Sequence, residues 1–238
     1  MSLAMVLELR QALEGAERDG TTRAVVLRGA GGHFCAGGDI KDMATARARL
    51  ADDPAALVQT NAAFGELCVA YAQSPLAVVA VVEGTVMGGG FGLACVADVT
   101  LALDSVVFRL PETGLGLVPA QVAPFLVERL GYAEAKRLAV TGAKVESQEA
   151  LRLRLVHEVH GDDEALQHAL QRTVADILRC APGALAATKT LVAKARLHSP
   201  ASLVHGAAEA FSAAALGTEG QEGTLAFIQK RKAKWVPE

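Results

Sequence analysis

Glu112 is the only carboxylate in the stretch Phe108-Arg109-Leu110-Pro111-Glu112-Thr113-Gly114-Leu115-Gly116-Leu117-Val118-Pro119. With Leu110, Leu115 and Leu117 around it, an ionised carboxylate is costly. Its pKa is therefore expected to rise toward the range useful for general acid–base work. Two glycine-rich stretches offer a second kind of chemistry: His33-Phe34-Cys35-Ala36-Gly37-Gly38-Asp39-Ile40-Lys41 and Glu83-Gly84-Thr85-Val86-Met87-Gly88-Gly89-Gly90-Phe91-Gly92. Main-chain N–H groups with no bulky side chain admit a ligand closely, and two that converge on one oxygen stabilise developing negative charge. Gly38 and Gly89 are the candidate donors. A helix opening near Phe91 would add its dipole. The plainer alternative is that the glycines only make turns and Glu112 is a solvated loop residue or helix cap.

Other chemistries fail on spacing. A dinucleotide fingerprint needs G-x-G-x-x-G, but Gly29-Ala30-Gly31 continues Gly32-His33-Phe34, and Gly88-Gly89-Gly90 has Leu93 at the sixth place. No G-x-x-x-x-G-K-[ST] occurs. His157 and His160 are one residue short of H-E-x-x-H, and His33, His168, His198 and His205 are scattered. With no G-x-S-x-G either, the nucleophile-elbow hydrolases are a poor match. We therefore expect no metal site. Cys35, Cys68, Cys95 and Cys180 are widely spaced with no C-x-x-C, which reads as small buried thiols in a reducing cytoplasm.

The elements that must hold these residues alternate in type. Met5–Arg18 carries Val6, Leu9, Leu13 and Ala16 at helical spacing, and Gly20 ends it. Arg23–Arg28 and Leu76–Glu83 are apolar runs suited to buried strands, the second being the strongest in the chain. A helix is expected over Ala55–Gln73, a short one over Phe91–Ala97, and a strand over Val99–Leu103. Beyond about residue 120 helical patterns dominate: Ala120–Leu130, Ala133–Thr141, Ser147–Leu153, Asp162–Cys180, Ala184–His198, Ala201–Leu216 and Thr218–Lys232. Only Leu155–Val159 looks extended. Strand, turn, helix, strand in this rhythm argues for an α/β architecture with crossovers.

Composition sets the outer bounds. A length of 238 residues permits one large domain, and 51% hydrophobic content excludes intrinsic disorder. A net charge of −3 offers no field for nucleic acid, and 4% aromatic content argues against base-stacking platforms. No apolar run is long enough to span a membrane, and the N-terminus lacks a signal-peptide pattern, so a cytoplasmic location is expected.

The three segments, in order and with their spacing, resemble the enoyl-CoA hydratase/isomerase (crotonase) family, in register from about Met5 to Phe227-Ile228-Gln229-Lys230-Arg231. The resemblance implies a spiral of ββα turns with a C-terminal α-helical extension, residues 1–180 forming the core and 181–238 a helical oligomerisation region. The family usually opens with a β-hairpin, and because this sequence starts almost at the first helix the hairpin is expected to be absent from it, as in a fragment or a shortened start. A homotrimer or hexamer is implied, and Lys230, Arg231, Lys232 and Lys234 are expected either to reach a coenzyme A phosphate or simply to form a solvated helix face.

The resemblance also implies site roles. Gly38 and Gly89 would supply the oxyanion hole, Glu112 would be the catalytic glutamate, and Ala36, Gly38, Asp39, Ile40, Lys41 and Gly89 would bind an acyl-CoA thioester. No separate cofactor is implied, since coenzyme A belongs to the substrate. Two-glutamate hydratases of the family carry their second carboxylate where this chain has Gly92. We expect that Gly92→Glu would leave hydration intact or raise it. Pro119-Ala120-Gln121-Val122-Ala123-Pro124-Phe125 looks like bacterial hydratases of 3-substituted glutaconyl-CoA esters. Hydration of a 2-enoyl-CoA is the leading expectation. Δ3-Δ2 enoyl-CoA isomerisation by the single glutamate and a non-catalytic acyl-CoA-binding homologue are the alternatives.

Overall fold

The computed structural model describes residues 1–237. Helix α1 (Leu3–Asp19) begins where the Ser2 hydroxyl accepts from the Met5 amide, and it ends on Gly20 in a left-handed conformation. Strand β1 (Ala24–Arg28) follows, then α2 (Ile40–Ala48), α3 (Ala56–Gln73) and β2 (Ala77–Val82). Next come β3 (Thr85–Met87), α4 (Gly89–Val96), β4 (Val99–Leu103) and β5 (Val107–Arg109), with a 3₁₀ turn at Glu112–Leu115. The chain continues through α5 (Ala123–Leu130), α6 (Tyr132–Thr141), β6 (Lys144–Glu146), α7 (Ser147–Arg152), β7 (Glu158–His160) and α8 (Asp163–Arg179). It closes with α9 (Pro182–Ala195), α10 (Pro200–Leu216) and α11 (Thr218–Ile228).

Two sheets organise these elements. The larger runs β1-β2-β4-β7, with every neighbour parallel. All six residues of β2 are buried, and their side chains alternate between faces. Val78, Ala80 and Val82 join the main core with α1, α3 and α4, whereas Val79 and Val81 pack with Leu101 against Leu166 and Ala169 of α8. A parallel sheet covered on both faces needs such an unbroken apolar strand. The smaller sheet, β3-β5-β6, pairs β3 with β5 in parallel and β5 with β6 antiparallel.

The structure corrects several expectations. Beyond Leu103 the expected extended segment Leu155–Val159 is found shifted, as β7 at Glu158–His160, while β5 and β6 are strands that the pattern did not show. β3, β5 and β6 have three residues each, too short to show a period, and Lys144-Val145-Glu146 hides its single buried residue between two charges. Helix α2 had no counterpart in the periodicity. Asp39 initiates it by accepting from the Lys41 amide, and only Ala46 is buried along it. The thiols are not uniformly inside: Cys68 and Cys95 are buried, Cys35 is half-buried and Cys180 is exposed.

The final helices are tied to the core at defined points. Lys189 Nζ donates to Asp98 Oδ2 and Leu76 O, both at 2.6 Å, and Trp235 Nε1 donates to Arg179 O at 2.9 Å. The basic cluster near the C-terminus is not free as a whole. Arg231 forms a two-pronged pair with Glu222 at 2.6 and 3.0 Å, and the Lys234 amide donates to the same carboxylate at 3.1 Å. No helix among the described residues is long and apolar enough to cross a membrane.

Candidate active site

Backbone pairing brings the three sequence segments together. The Cys35 amide donates to Thr85 O at 3.0 Å and the Met87 amide donates to Cys35 O at 2.9 Å, which makes a parallel bridge between Cys35 and Val86. That bridge lays the Ala36-Gly37-Gly38 loop beside the end of β3. β3 in turn pairs with β5, Met87 opposite Arg109, and the Gly88 amide donates to Arg109 O at 3.2 Å. Chain then continues from Arg109 through buried Leu110 directly into Glu112. Thr113 Oγ1 pins the following turn to α6 by donating to Ala139 O at 3.1 Å.

The glycines are explained by this crowding. Gly88 has φ of +50°, which side chains rarely adopt, and a Cβ there would lie 2.9 Å from Glu112 Oε1 and 3.6 Å from Gly37 Cα. A Cβ at Gly90 would lie 2.6 Å from Cys35 Cβ and 2.7 Å from Cys35 O, so a larger residue would push the two loops apart. Gly38 differs, because a Cβ there would meet nothing within 4 Å. Gly89 is the first residue of α4, where the N–H has no intrahelical acceptor. Among the described residues neither the Gly38 nor the Gly89 amide donates to a protein acceptor. Two unengaged N–H groups thus flank the point where the Gly37-Gly38 and Gly88-Gly89 loops meet.

The Glu112 side chain lies beside this point, half-buried. Its Oε2 is buried without a hydrogen-bond partner. Burial drives its pKa up, partly opposed by a hydrogen bond from its own backbone amide. The expected cause needs correction: Leu115 is 65% exposed and does not enclose the carboxyl. The crowding comes from Gly88 and the adjoining loops instead.

The remaining expected site residues divide. Ala36 and Gly38 are exposed on the loop that faces Gly88-Gly89. Asp39 uses its carboxylate to cap α2, so that group is already engaged. Ile40 and Lys41 project from the exposed first turn of α2. Met1 also reaches the site. Its carbonyl accepts from the Asp39 amide at 2.9 Å, and its Cε would lie 3.1 Å from a Cβ at Gly89.

Sequence reasoning missed the surroundings of Gly92. A Cβ there would lie 3.2 Å from Val122 Cγ2 and 3.3 Å from Phe64 Cζ. The place is filled by hydrocarbon, and Gly92 itself is buried. This argues against the expectation that Gly92→Glu would be harmless or helpful, because Phe64 or Val122 must give way by a few tenths of an ångström to admit even its Cβ. Phe64 carries no local signal beyond its place on the α3 helical face, and Val122 none beyond its motif.

The comparisons agree with this layout. Residues 1–237 match the family model described as enoyl-CoA hydratase/isomerase. An enoyl-CoA hydratase of Alternaria alternata is 31% identical over 196 residues, covering 82% of this chain but only 63% of that protein's length. The 2,3-dehydroadipyl-CoA hydratase of Escherichia coli is 31% identical over 232 residues, covering 96% of this chain and 86% of that protein. Among solved structures, Pseudomonas aeruginosa AtuE is 52% identical with a TM-score of 0.95, covering 100% of this chain and 91% of that one. An enoyl-CoA hydratase/isomerase from Marinobacter aquaeolei is 48% identical with a TM-score of 0.94, covering 100% and 90%. Together with the α/β fold, these similarities make the chain a member of the enoyl-CoA hydratase/isomerase family.

Proposed function

We propose that this protein hydrates a 2-enoyl-CoA thioester, with a 3-substituted glutaconyl-CoA as the finer reading of the substrate. One observation carries the proposal: the carboxyl of Glu112, with Oε2 buried and unpartnered, stands over the glycine loops that present the free Gly38 and Gly89 amides. The thioester oxygen accepts from these two amides. Glu112 takes a proton from the water that adds to C3, negative charge collects on the thioester oxygen as an enolate, and a proton returned to C2 completes the addition. The α4 N-terminus favours that charge. Coenzyme A enters as part of the substrate, and no further cofactor is invoked. Relatives named as a 2,3-dehydroadipyl-CoA hydratase and a carnitinyl-CoA dehydratase support addition of water over isomerisation.

A second reading has its own observation. Phe64 and Val122 leave no second carboxylate at Gly92, and one base that shuttles a proton between two carbons is what a Δ3-Δ2 enoyl-CoA isomerase requires. Spectrophotometry separates the two. Hydration removes the conjugated-thioester absorbance of a 2-enoyl-CoA, isomerisation creates it from a 3-enoyl-CoA, and a non-catalytic homologue changes neither. The panel should include crotonyl-CoA and a 3-methylglutaconyl ester.

Assembly belongs to the same proposal. Phe211, Leu216, Phe227 and Ile228 on the final helices are each more than 70% exposed. So much uncovered hydrocarbon fits burial against further copies of the chain as a trimer or hexamer.

A further inference from the structure

We propose that Arg109 and Thr113 are positioning residues that hold Glu112 beside the glycine loops by fastening its turn to the C-terminal end of α6. The inference rests on the reading of Glu112 as the base and extends it to what keeps that base in place. Glu112 takes little hold through its own carboxyl. Oε2 has no hydrogen-bond partner, and the hydrogen bond that the group accepts comes from its own backbone amide. Its place must therefore come from the residues on either side. Arg109, three residues before it, donates through Nε to Gly142 O at 3.0 Å. Thr113, the residue after it, donates through Oγ1 to Ala139 O at 3.1 Å. Both acceptors belong to one helix end, since α6 runs Tyr132–Thr141 and Gly142 is its left-handed cap.

That helix end is suited to the task. The last carbonyls of a helix have no intrahelical partner and carry partial negative charge. Ala139 O is one of them: the Ala143 amide, four residues on, donates instead to Thr141 Oγ1 at 3.2 Å. The Thr113 hydroxyl takes its place. Arg109 brings a positive charge to the same terminus, the sign that a helix C-terminus favours. Gly142 lets the two segments approach, because a Cβ there would lie 3.4 Å from Leu110 O. The Arg109 backbone meanwhile faces the glycine loop. It pairs opposite Met87 of β3, and its carbonyl accepts from the Gly88 amide at 3.2 Å. One residue thus spaces the glycine loop from α6, and Glu112 follows it in the chain with Thr113 as the second strap. Thr113 is exposed, so water could serve its hydroxyl equally well, and the bond to Ala139 contributes geometry more than core stability.

The test pairs, at each position, a variant that removes the donor with one that keeps it. Thr113→Val has the shape of threonine without the hydroxyl, and Thr113→Ser retains the hydroxyl. Arg109→Met ends in a methyl where arginine has Nε, and Arg109→Gln places an amide N–H at that same point. Rates are measured across pH on whichever thioester of the panel the parent turns over fastest, and butanoyl-CoA affinity is read by isothermal titration calorimetry. Misplacing a catalytic group by about 1 Å costs on the order of 100-fold, so one loosened strap should lower kcat by roughly 10-fold in Thr113→Val and in Arg109→Met. The acid limb of the profile should move to lower pH in both, because a freed turn lets the carboxyl reach water. Butanoyl-CoA affinity should change little, and Thr113→Ser and Arg109→Gln should recover most of the rate. Parent-like turnover and acid limb in Thr113→Val would overturn the proposal. A loss shared by the donor-keeping variants, or matched by weaker butanoyl-CoA binding, would do the same. Thr113 lies at the surface, so Thr113→Val decides the matter even where Arg109→Met does not fold. Parent-like turnover in Glu112→Gln, or no turnover of any thioester by the folded parent, would instead overturn the reading of Glu112 as the base, and the straps with it.

Discussion

Gly92→Glu is the perturbation for which the packing points the opposite way from the sequence. A Cβ at that position is 3.2 Å from Val122 Cγ2 and 3.3 Å from Phe64 Cζ, tighter than ordinary contact by a few tenths of an ångström. Gly92→Ala should range from neutral to a net cost of about 2.5 kcal/mol. Overpacking costs about 1–3 kcal/mol, and removing a helix-interior glycine returns about 0.5–1 kcal/mol. Glutamate adds further atoms in the same direction and a carboxylate without a partner, which costs a further ~1–3 kcal/mol. At about 2–4 °C per kcal/mol for a chain of this length, Gly92→Glu should melt several degrees below Gly92→Ala in a thermal scan. It should also hydrate 2-enoyl-CoA more slowly than the parent. Phe64→Ala in the same background should recover part of the lost stability, a coupling of about 0.5–3 kcal/mol between touching residues. A Gly92→Glu protein as stable as the parent and faster in hydration would show that Phe64 and Val122 yield freely, and the argument would fail.

Other consequences are open to direct measurement. Gly90→Ala should lower both Tm and turnover because its Cβ meets Cys35 backbone and side chain at 2.6–2.7 Å, whereas Gly38→Ala, open on that side, should fold like the parent and lose turnover alone; circular dichroism melts with parallel rate assays distinguish them. The pH profile of kcat/KM should carry an acid limb above the ordinary carboxylate range, since Glu112 must be ionised to accept a proton and burial holds its pKa up. The stability sign is opposite: a carboxyl whose folded pKa is raised stabilises the fold while protonated, and that contribution vanishes as pH rises through the folded value. Melts of the parent and Glu112→Gln from pH 4 to 8 should therefore show the parent losing ground to the variant on going up. Light scattering at micromolar concentration should find an oligomer, and a stable monomer would contradict the role given to the exposed apolar residues of α10 and α11.

Much of this was legible before any coordinates, and for identifiable reasons. β2 announces itself because burial on both faces demands an unbroken run of Ala and Val, and α1 because Val6 and Leu13 recur at helical spacing above Gly20. The three-residue strands β3, β5 and β6 do not, since their length is set by the sheet they join and not by a pattern of their own. The same division holds at the site. Glu112 and the glycines stand out by type, yet why Gly88 and Gly90 must be glycine depends on Cys35 and Glu112, which lie far away in sequence. Leu115 adjoins Glu112 in sequence and points to solvent, while Phe64 is distant in sequence and borders the site. Neighbourhood in the chain misleads in both cases because tertiary packing, not adjacency, decides what surrounds a side chain.

Glu112→Gln tests the central claim most directly. The substitution keeps shape and most hydrogen bonding but removes the ability to accept a proton. Turnover of the preferred enoyl-CoA should fall by about 100- to 10,000-fold, the usual share of a general base, with the affinity for a saturated acyl-CoA little changed. A Glu112→Gln protein as active as the parent on every thioester of the panel would contradict the assignment of Glu112 as the base.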